Sequence, residues 1–260
     1  MAVHIKSPDE IAVMREAGRI VAVAHQAMRE AVKPGVTTAE LDKLAETVLR
    51  DHGATPAFLG YPKHNSPNYP GSICASVNDE LVHGIPGPRM LHEGDIISID
   101  IGSVYKGFVG DSAWTYAVGE IPAAVQRLLD VTEEALWVGI RASVLPNQTR
   151  DVSTAIQGYI EQHGYGVVRE YTGHGVGRSM HEEPQVPNWW PRKTRQRGWT
   201  SYDLQPGMTY AIEPMVTAGR PDTRELADQW TVVTRDHSLC AHFEHTIAIT
   251  DGEPFILTLP

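Results

Sequence analysis

Four acidic residues and one histidine stand in settings where each needs a reason. Asp100 ends the alternating run Ile96-Ile-Ser-Ile-Asp100, and Asp111 follows in Phe108-Val-Gly-Asp111-Ser-Ala. Lys106-Gly107 between them reads as a turn, so the segment predicts a β-hairpin that can set both carboxylates on one face. Facing carboxylates repel unless a cation or a shared proton lies between them, and the pair alone reads more simply as two strand ends in water. Glu213, in Ala211-Ile-Glu213-Pro-Met, and Glu244, in Ala241-His-Phe-Glu244-His-Thr-Ile, change that balance, because both interrupt apolar, strand-like sequence. Burying an unpaired charge costs several kcal/mol, so acids in three apolar strands need a common counter-ion. His174, in Thr172-Gly-His174-Gly-Val-Gly177, supplies an imidazole flanked by glycines that let backbone approach closely. One imidazole and four carboxylates form an oxygen-rich set that can bridge two divalent ions, suiting Mn, Fe, Co or Zn better than a thiolate site would. Two such ions ionise a water and clamp a carbonyl oxygen, and that chemistry is hydrolysis.

Competing motifs fail on spacing. The glycines around His174 match neither dinucleotide-binding nor P-loop patterns, and His181-Glu-Glu-Pro184 lacks the second histidine of a helical zinc site, while Pro184 would break the helix. Of the other histidines, His83, His181 and His245 fall in motif-dense segments; His4, His25, His52, His64, His92, His163, His237 and His242 read as ordinary polar residues. The basic run Arg192 to Arg197 reads as a solvated loop bracketed by Pro191 and Gly198.

The elements that must position these residues are legible from capping and periodicity. Ser7-Pro-Asp-Glu10 and Thr37-Thr-Ala-Glu40 are capping boxes, each followed by apolar residues at helical spacing, and Gly53 stops the second helix. A second helix pair starts at Pro122 and at Thr149, the latter closing at His163-Gly164. Pro34 and Pro146 lie 112 residues apart, while Gly94 and Gly207, and Asp100 and Glu213, lie 113 apart. That shared offset predicts two related halves, about 1–120 and 121–260, each ending its matched strand on a carboxylate, within one catalytic domain spanning 1–260.

Composition bounds the rest. The 260 residues carry 22 Lys+Arg and 32 Asp+Glu, a formal charge of −10 that argues against nucleic-acid binding through a broad basic face. Hydrophobic residues make up 42 %, which excludes a disordered chain. No apolar run approaches the roughly 20 residues of a membrane span. The N-terminus has no apolar signal region, and Cys74 and Cys240 are too few for a disulfide framework, so we expect a cytoplasmic protein.

With the residues in place, the chain resembles a known family. Gly53 to Tyr61, Asn78-Asp-Glu-Leu-Val-His83-Gly-Ile-Pro86, Asp100-Ile-Gly with Gly110-Asp111, Tyr171-Thr-Gly-His174-Gly-Val-Gly-Arg178, His181-Glu-Glu-Pro-Gln-Val186, Pro206-Gly-Met with Ile212-Glu213-Pro-Met215, and Phe243-Glu244-His-Thr246 are similar, in order from Ile5 to the C-terminus, to type I methionine aminopeptidases. The resemblance implies an α/β (α+β) pita-bread fold: two pseudo-twofold-related halves of helices packed on a curved antiparallel β-sheet. It implies two divalent metal ions (Co, Mn, Fe or Zn) held by Asp100, Asp111, His174, Glu213 and Glu244. Their hydroxide would remove the N-terminal methionine from nascent polypeptides with a small second residue. By similarity Glu213 relays the proton, His181 contacts the carbonyl oxygen or oxyanion, and His83 contacts the scissile amide nitrogen. The methionine side chain would enter a cup of Phe58, Tyr61, Tyr69, Cys74, Met180 and Trp230, in which Cys74 is a packing thiol rather than a nucleophile. Transient ribosome association follows from the family's task, with no residues to carry it, and the resemblance is to a monomer acting without DNA or membrane.

This chain departs from the family pattern in the seven residues Pro62 to Asn68, in an extended Trp189–Trp199 loop, and in Phe58 and Met180 at the pocket. The loops bear on the pocket rim and substrate range. The alternatives are an X-Pro aminopeptidase or prolidase of the same fold, which usually carries a preceding domain, and a non-enzymatic peptide-binding relative, which would lack ligands. With the first helix starting near Ser7 and all five ligands present, we expect neither.

Overall fold

Ser7 and Glu10 close a capping box and Pro8 presets the first turn of helix α1 (Pro8–Ala31). The computed structural model describes residues 2–191 and 200–260. Helix α2 (Thr38–Asp51) follows, then strands β1 (Thr55–Pro56), β2 (Ile73–Val77), β3 (Glu80–Val82), β4 (Ile96–Tyr105) and β5 (Phe108–Ala117). The order of two helices and then strands recurs with α3 (Ala123–Ala142), α4 (Thr149–Gln162), β6 (Gly166–Val167), β7 (Thr172–Gly175), β8 (Glu182–Pro187), β9 (Thr209–Ile212) and β10 (Met215–Thr217). The chain ends through β11 (Thr223–Glu225), β12 (Val232–Thr234), β13 (Cys240–His242), β14 (His245–Ala248) and β15 (Phe255–Ile256).

All strand pairings described are antiparallel. One sheet pairs β1, β4 and β2, with β5 on β4; another runs β15-β14-β9-β7-β8. Helices α1 and α2 bury Ile20, Val21, Ala24, Leu41 and Leu49 against Ile97, Ile99 and Ile101 of β4. Helices α3 and α4 bury Leu136, Ile140, Val152 and Ile156 against Tyr210, Ile212 and Ile247 of the second sheet. Trp114 on β5 packs against both cores. Gly18 on α1 marks a close approach: a Cβ there would stand 2.2 Å from the Leu257 carbonyl oxygen, so only glycine lets the C-terminal segment cross the helix.

Side-chain hydroxyls stitch the two sheets together. Thr246 donates to the Asp111 carbonyl at 2.8 Å, Ser112 to the Glu244 carbonyl at 2.6 Å, and the Glu244 amide to the Ala113 carbonyl at 2.8 Å. One expectation needs correction. Asp100 does not end its strand; it lies inside β4, and only Glu213 follows a strand end, because Pro214 has no N–H to continue the ladder. The extended segment after Tyr61 is a closed loop, its neck tied by Tyr69 N–H donating to Tyr61 O at 2.9 Å. Arg192–Arg197, and residues 192–199 of the Trp189–Trp199 loop, lie outside the described residues. Among the described residues, no helix is long and apolar enough to cross a membrane.

Candidate active site

The hairpin register explains why two of the acids meet. Asp100 pairs with Ala113 and Gly102 with Asp111, so Asp100 and Asp111 are diagonal neighbours on one face of β4 and β5. His174 comes from strand β7, which is squeezed between β8 and β9: a Cβ at Gly173 would stand 2.4 Å from the Ala211 carbonyl oxygen. Glu213 and Glu244 sit in the breaks after β9 and before β14, where the ladder stops and a side chain can turn inward.

These breaks and the hairpin converge. Asp111, His174 and Glu244 bring ligand-capable atoms within 4.8 Å of one another. His174 Nε2 lies 3.4 Å from Glu213 Oε1 and 3.7 Å from Asp111 Oδ2, and Asp100 hydrogen-bonds Asp111 carboxyl to carboxyl. Burial, and after it the neighbouring carboxylates, pushes Asp100, Glu213 and Glu244 well above the ordinary carboxylate range. Asp111 is pushed up to about 7, chiefly by burial. Asp100 Oδ1, Asp111 Oδ1 and Glu244 Oε1 are buried with no hydrogen-bond partner among the described residues. Buried acceptors without donors are costly, and a cation removes the cost by taking the lone pairs.

The imidazole is presented in the matching form. His174 Nδ1 hydrogen-bonds the Gly175 carbonyl at 3.0 Å, so Nδ1 carries the proton and the Nε2 lone pair faces the carboxylates. Burial lowers its pKa to about 3, which keeps it neutral and able to ligate. The residues therefore fit divalent metal.

Beside the carboxylates opens a pocket lined by Phe58, Tyr61, Tyr69, Cys74, Met180 and Trp230, with His83, His174 and His181 at the acidic end. Tyr69, Cys74 and Trp230 form one buried apolar cluster. Burial raises the Cys74 thiol well above its ordinary value, which makes it a poor nucleophile. His181, exposed at the mouth, accepts or donates a 2.7 Å hydrogen bond between Nδ1 and the Tyr61 hydroxyl, and its ring lies 4.3 Å from that of His174. His83 adopts φ +58°, a left-handed conformation uncommon for a residue with a Cβ, and stands edge-on to Trp230 and Tyr171. The 62–68 loop forms part of this rim: Lys63 pairs with Glu225, donates to the Gln229 carbonyl at 2.5 Å and lies over Trp230, whose Nε1 donates to Pro67 O at 2.9 Å.

Several residues here escape sequence reasoning. Val82, Tyr171, Thr172, Met215 and His242 also line the pocket. For two of them a signal existed: Met215 lies two residues after Glu213 and His242 two before Glu244, and alternate residues of extended chain share a face. His245, by contrast, is a structural residue, its Nδ1 bonded to the Thr258 hydroxyl at 2.7 Å and its ring edge-on to Trp114 and Trp137.

Comparison with known proteins agrees with this geometry. The model of metallopeptidase family M24 matches residues 12–251. The chain belongs to metallopeptidase family M24. Within M24 it is 52 % identical to methionine aminopeptidase 1 of Bacillus subtilis, over 97 % of this chain and 98 % of that one, and 42 % identical to the methionine aminopeptidase of Escherichia coli, over 100 % and 95 %. The crystal structure of a methionine aminopeptidase from Thermotoga maritima superposes with a TM-score of 0.93 at 42 % identity, each chain covered in full. The M24 chain thus groups with the methionine aminopeptidases and has their α+β pita-bread fold. A prolidase from Pyrococcus furiosus, 22 % identical with a TM-score of 0.76, shares the fold, and this chain spans 65 % of it.

Proposed function

We propose that this M24 peptidase removes the N-terminal methionine from polypeptides whose second residue is small, at a centre of two divalent ions held by Asp100, Asp111, His174, Glu213 and Glu244. The observation that carries the reading is the junction of partnerless buried carboxylate oxygens with an apolar pocket of six side chains. When bound, the ions supply Lewis acidity, bringing the pKa of a water to about 7 and polarising the scissile carbonyl.

The chain's own residues do the rest. Glu213, held at the centre 3.4 Å from His174, takes a proton from the attacking water on a carboxylate oxygen and passes it toward the leaving nitrogen. We assign the Tyr61 O–H as donor to His181 Nδ1, which leaves the His181 proton on Nε2, free to donate to the carbonyl oxygen as negative charge develops. Burial, together with His181 and Lys63, lowers the His83 pKa to about 4, so His83 contacts the scissile amide as a neutral ring. Phe58, Tyr61, Tyr69, Cys74, Met180 and Trp230 surround the methionine thioether with apolar bodies, and the Lys63 tether fixes the Trp230 wall.

In this reading residues 1–260 are one catalytic domain of two pseudo-twofold-related halves, supported by the recurrence of helix pair and strands along the chain. Both cysteines are free and buried, which supports a cytoplasmic location. The peptidase acts on nascent polypeptide N-termini as a monomer, in transient association with the ribosome.

A panel of peptides varied at the first two positions, assayed after chelation and after return of Mn, Fe or Co, tests the proposal. We expect turnover only with metal, and only for N-terminal methionine before a small residue. Equal turnover of Gly-Pro and Met-Gly substrates would refute the assignment to methionine.

A further inference from the structure

Glu213 is flanked by two imidazoles, and only one has a role so far. His174 Nε2 lies 3.4 Å from Oε1; His242 Nε2 lies 3.7 Å from Oε2. His242 is 2 % exposed, lines the pocket, and its Nε2 has no hydrogen-bond partner among the described residues. Its backbone is fixed on both sides: the amide accepts no freedom, donating to the Thr115 hydroxyl at 2.9 Å, and that hydroxyl donates back to the His242 carbonyl at 2.8 Å. Across the sheet His242 pairs with Met215, two residues beyond Glu213, so strand pairing itself sets the ring beside that carboxylate. A buried ring nitrogen left without a partner is rare and calls for an explanation. Glu213 Oε2, 3.7 Å away, is a carboxylate acceptor that this nitrogen faces.

We infer that His242 is a positioning residue: with its proton on Nε2 it donates to Glu213 Oε2, orienting the carboxylate that relays the proton. In this reading His242 orients a ligand rather than being a sixth one: its Nε2 meets Glu213 Oε2, while the other carboxylate oxygen, Oε1, lies beside His174. An imidazole carries at least one N–H in either protonation state, so the ring can donate. The inference rests on the assignment of Glu213 as ligand and proton relay.

The experiment compares His242→Leu, His242→Gln and His242→Asn with the wild type, measuring kcat, KM, metal content and the affinity for Mn by titration calorimetry. Outer groups that orient a ligand typically contribute about 10- to 100-fold to metal affinity or activity. We expect His242→Leu to lose at least about tenfold in kcat and in Mn affinity, with KM and the number of bound ions unchanged. Gln carries an amide N–H that reaches the same oxygen and should recover most of both losses; Asn, one methylene shorter, should not. If His242→Leu does not fold, the contrast between Gln and Asn still decides. Equal losses in Gln and Asn, wild-type values in Leu, or the disappearance of one metal equivalent would each overturn the inference. Glu213→Gln is run beside them: if it retains turnover and both ions, the parent assignment fails, an outcome distinct from failure at His242.

Discussion

Asp111→Asn should destabilise the metal-loaded protein and stabilise the metal-free one. Asp111 is 3 % exposed, and its pKa rises from 3.8 to about 7 through burial. A carboxyl whose folded pKa is raised opposes folding: no cost exists below the unfolded pKa, and the cost grows until pH passes the folded value. At about 1.4 kcal/mol per pKa unit, this shift corresponds to roughly 4 kcal/mol at pH 8. Asp100 and Asp111 titrate together, so the cost is divided between the two carboxyls and we expect about 2 to 4 kcal/mol from Asp111. The asparagine keeps the shape and cannot ionise. Urea unfolding in excess chelator at pH 8 should therefore show Asp111→Asn more stable than wild type by that amount, with the gap shrinking to less than about 2 kcal/mol at pH 5. In Mn at about 1,000 times its dissociation constant the order should reverse, because that stabilises the wild type by about 4.1 kcal/mol, enough to offset the roughly 2 to 4 kcal/mol, and the variant has lost a ligand. Equal stability in chelator at pH 8, or a less stable variant there, would refute the claim that repulsion and burial at this cluster oppose folding until metal arrives.

Tyr61→Phe preserves the apolar wall but removes the donor to His181 Nδ1, so kcat should fall about tenfold while the preference for methionine over leucine holds; an unchanged kcat would sink the tautomer assignment. His25 is buried, its Nδ1 bonded to the Tyr116 hydroxyl at 2.9 Å and its Nε2 to the Ser112 carbonyl at 2.8 Å, and burial lowers its pKa from 6.5 to about 4. The unfolded chain binds the proton first, so this histidine contributes stability that is present above pH 6.5 and is lost as pH falls toward 4. His25→Gln should flatten the decline between pH 8 and pH 5 by about 2 kcal/mol, read by urea unfolding in chelator, and an identical decline in both proteins would contradict it.

Much of the site could be read before folding, and the reasons are local. The helices were legible because capping boxes and proline act within one turn: Ser7 with Glu10, and Thr37 with Glu40, start α1 and α2 where the pattern predicts. The Lys106-Gly107 turn forced β4 onto β5, and the pairing register alone makes Asp100 and Asp111 diagonal neighbours. The residues proposed to hold metal, and those that line the pocket, were legible through their motifs. Less was legible where a residue's meaning depends on a distant partner. His242 looked ordinary because nothing near it in sequence says that its strand pairs with β10, beside Glu213. Tyr61 read as a pocket wall because its hydroxyl meets His181 only across 120 positions of chain. The loop after Tyr61 reads in sequence as bearing on the pocket rim, but its ties from Lys63 to Glu225 and Gln229 span more than 160 residues of chain.

The sequence by itself thus determined the elements and the donor types. Capping, alternation and turn chemistry depend on residues a few positions apart, and a carboxylate in an apolar strand demands a counter-charge wherever it ends up. Only the tertiary structure decided that Asp100, Asp111, His174, Glu213 and Glu244 line one pocket, and which His174 nitrogen faces the carboxylates. That convergence comes from β5 meeting β14 through Thr246, Ser112 and Glu244, contacts more than 100 residues apart in the chain, and no local rule carries information over such a separation.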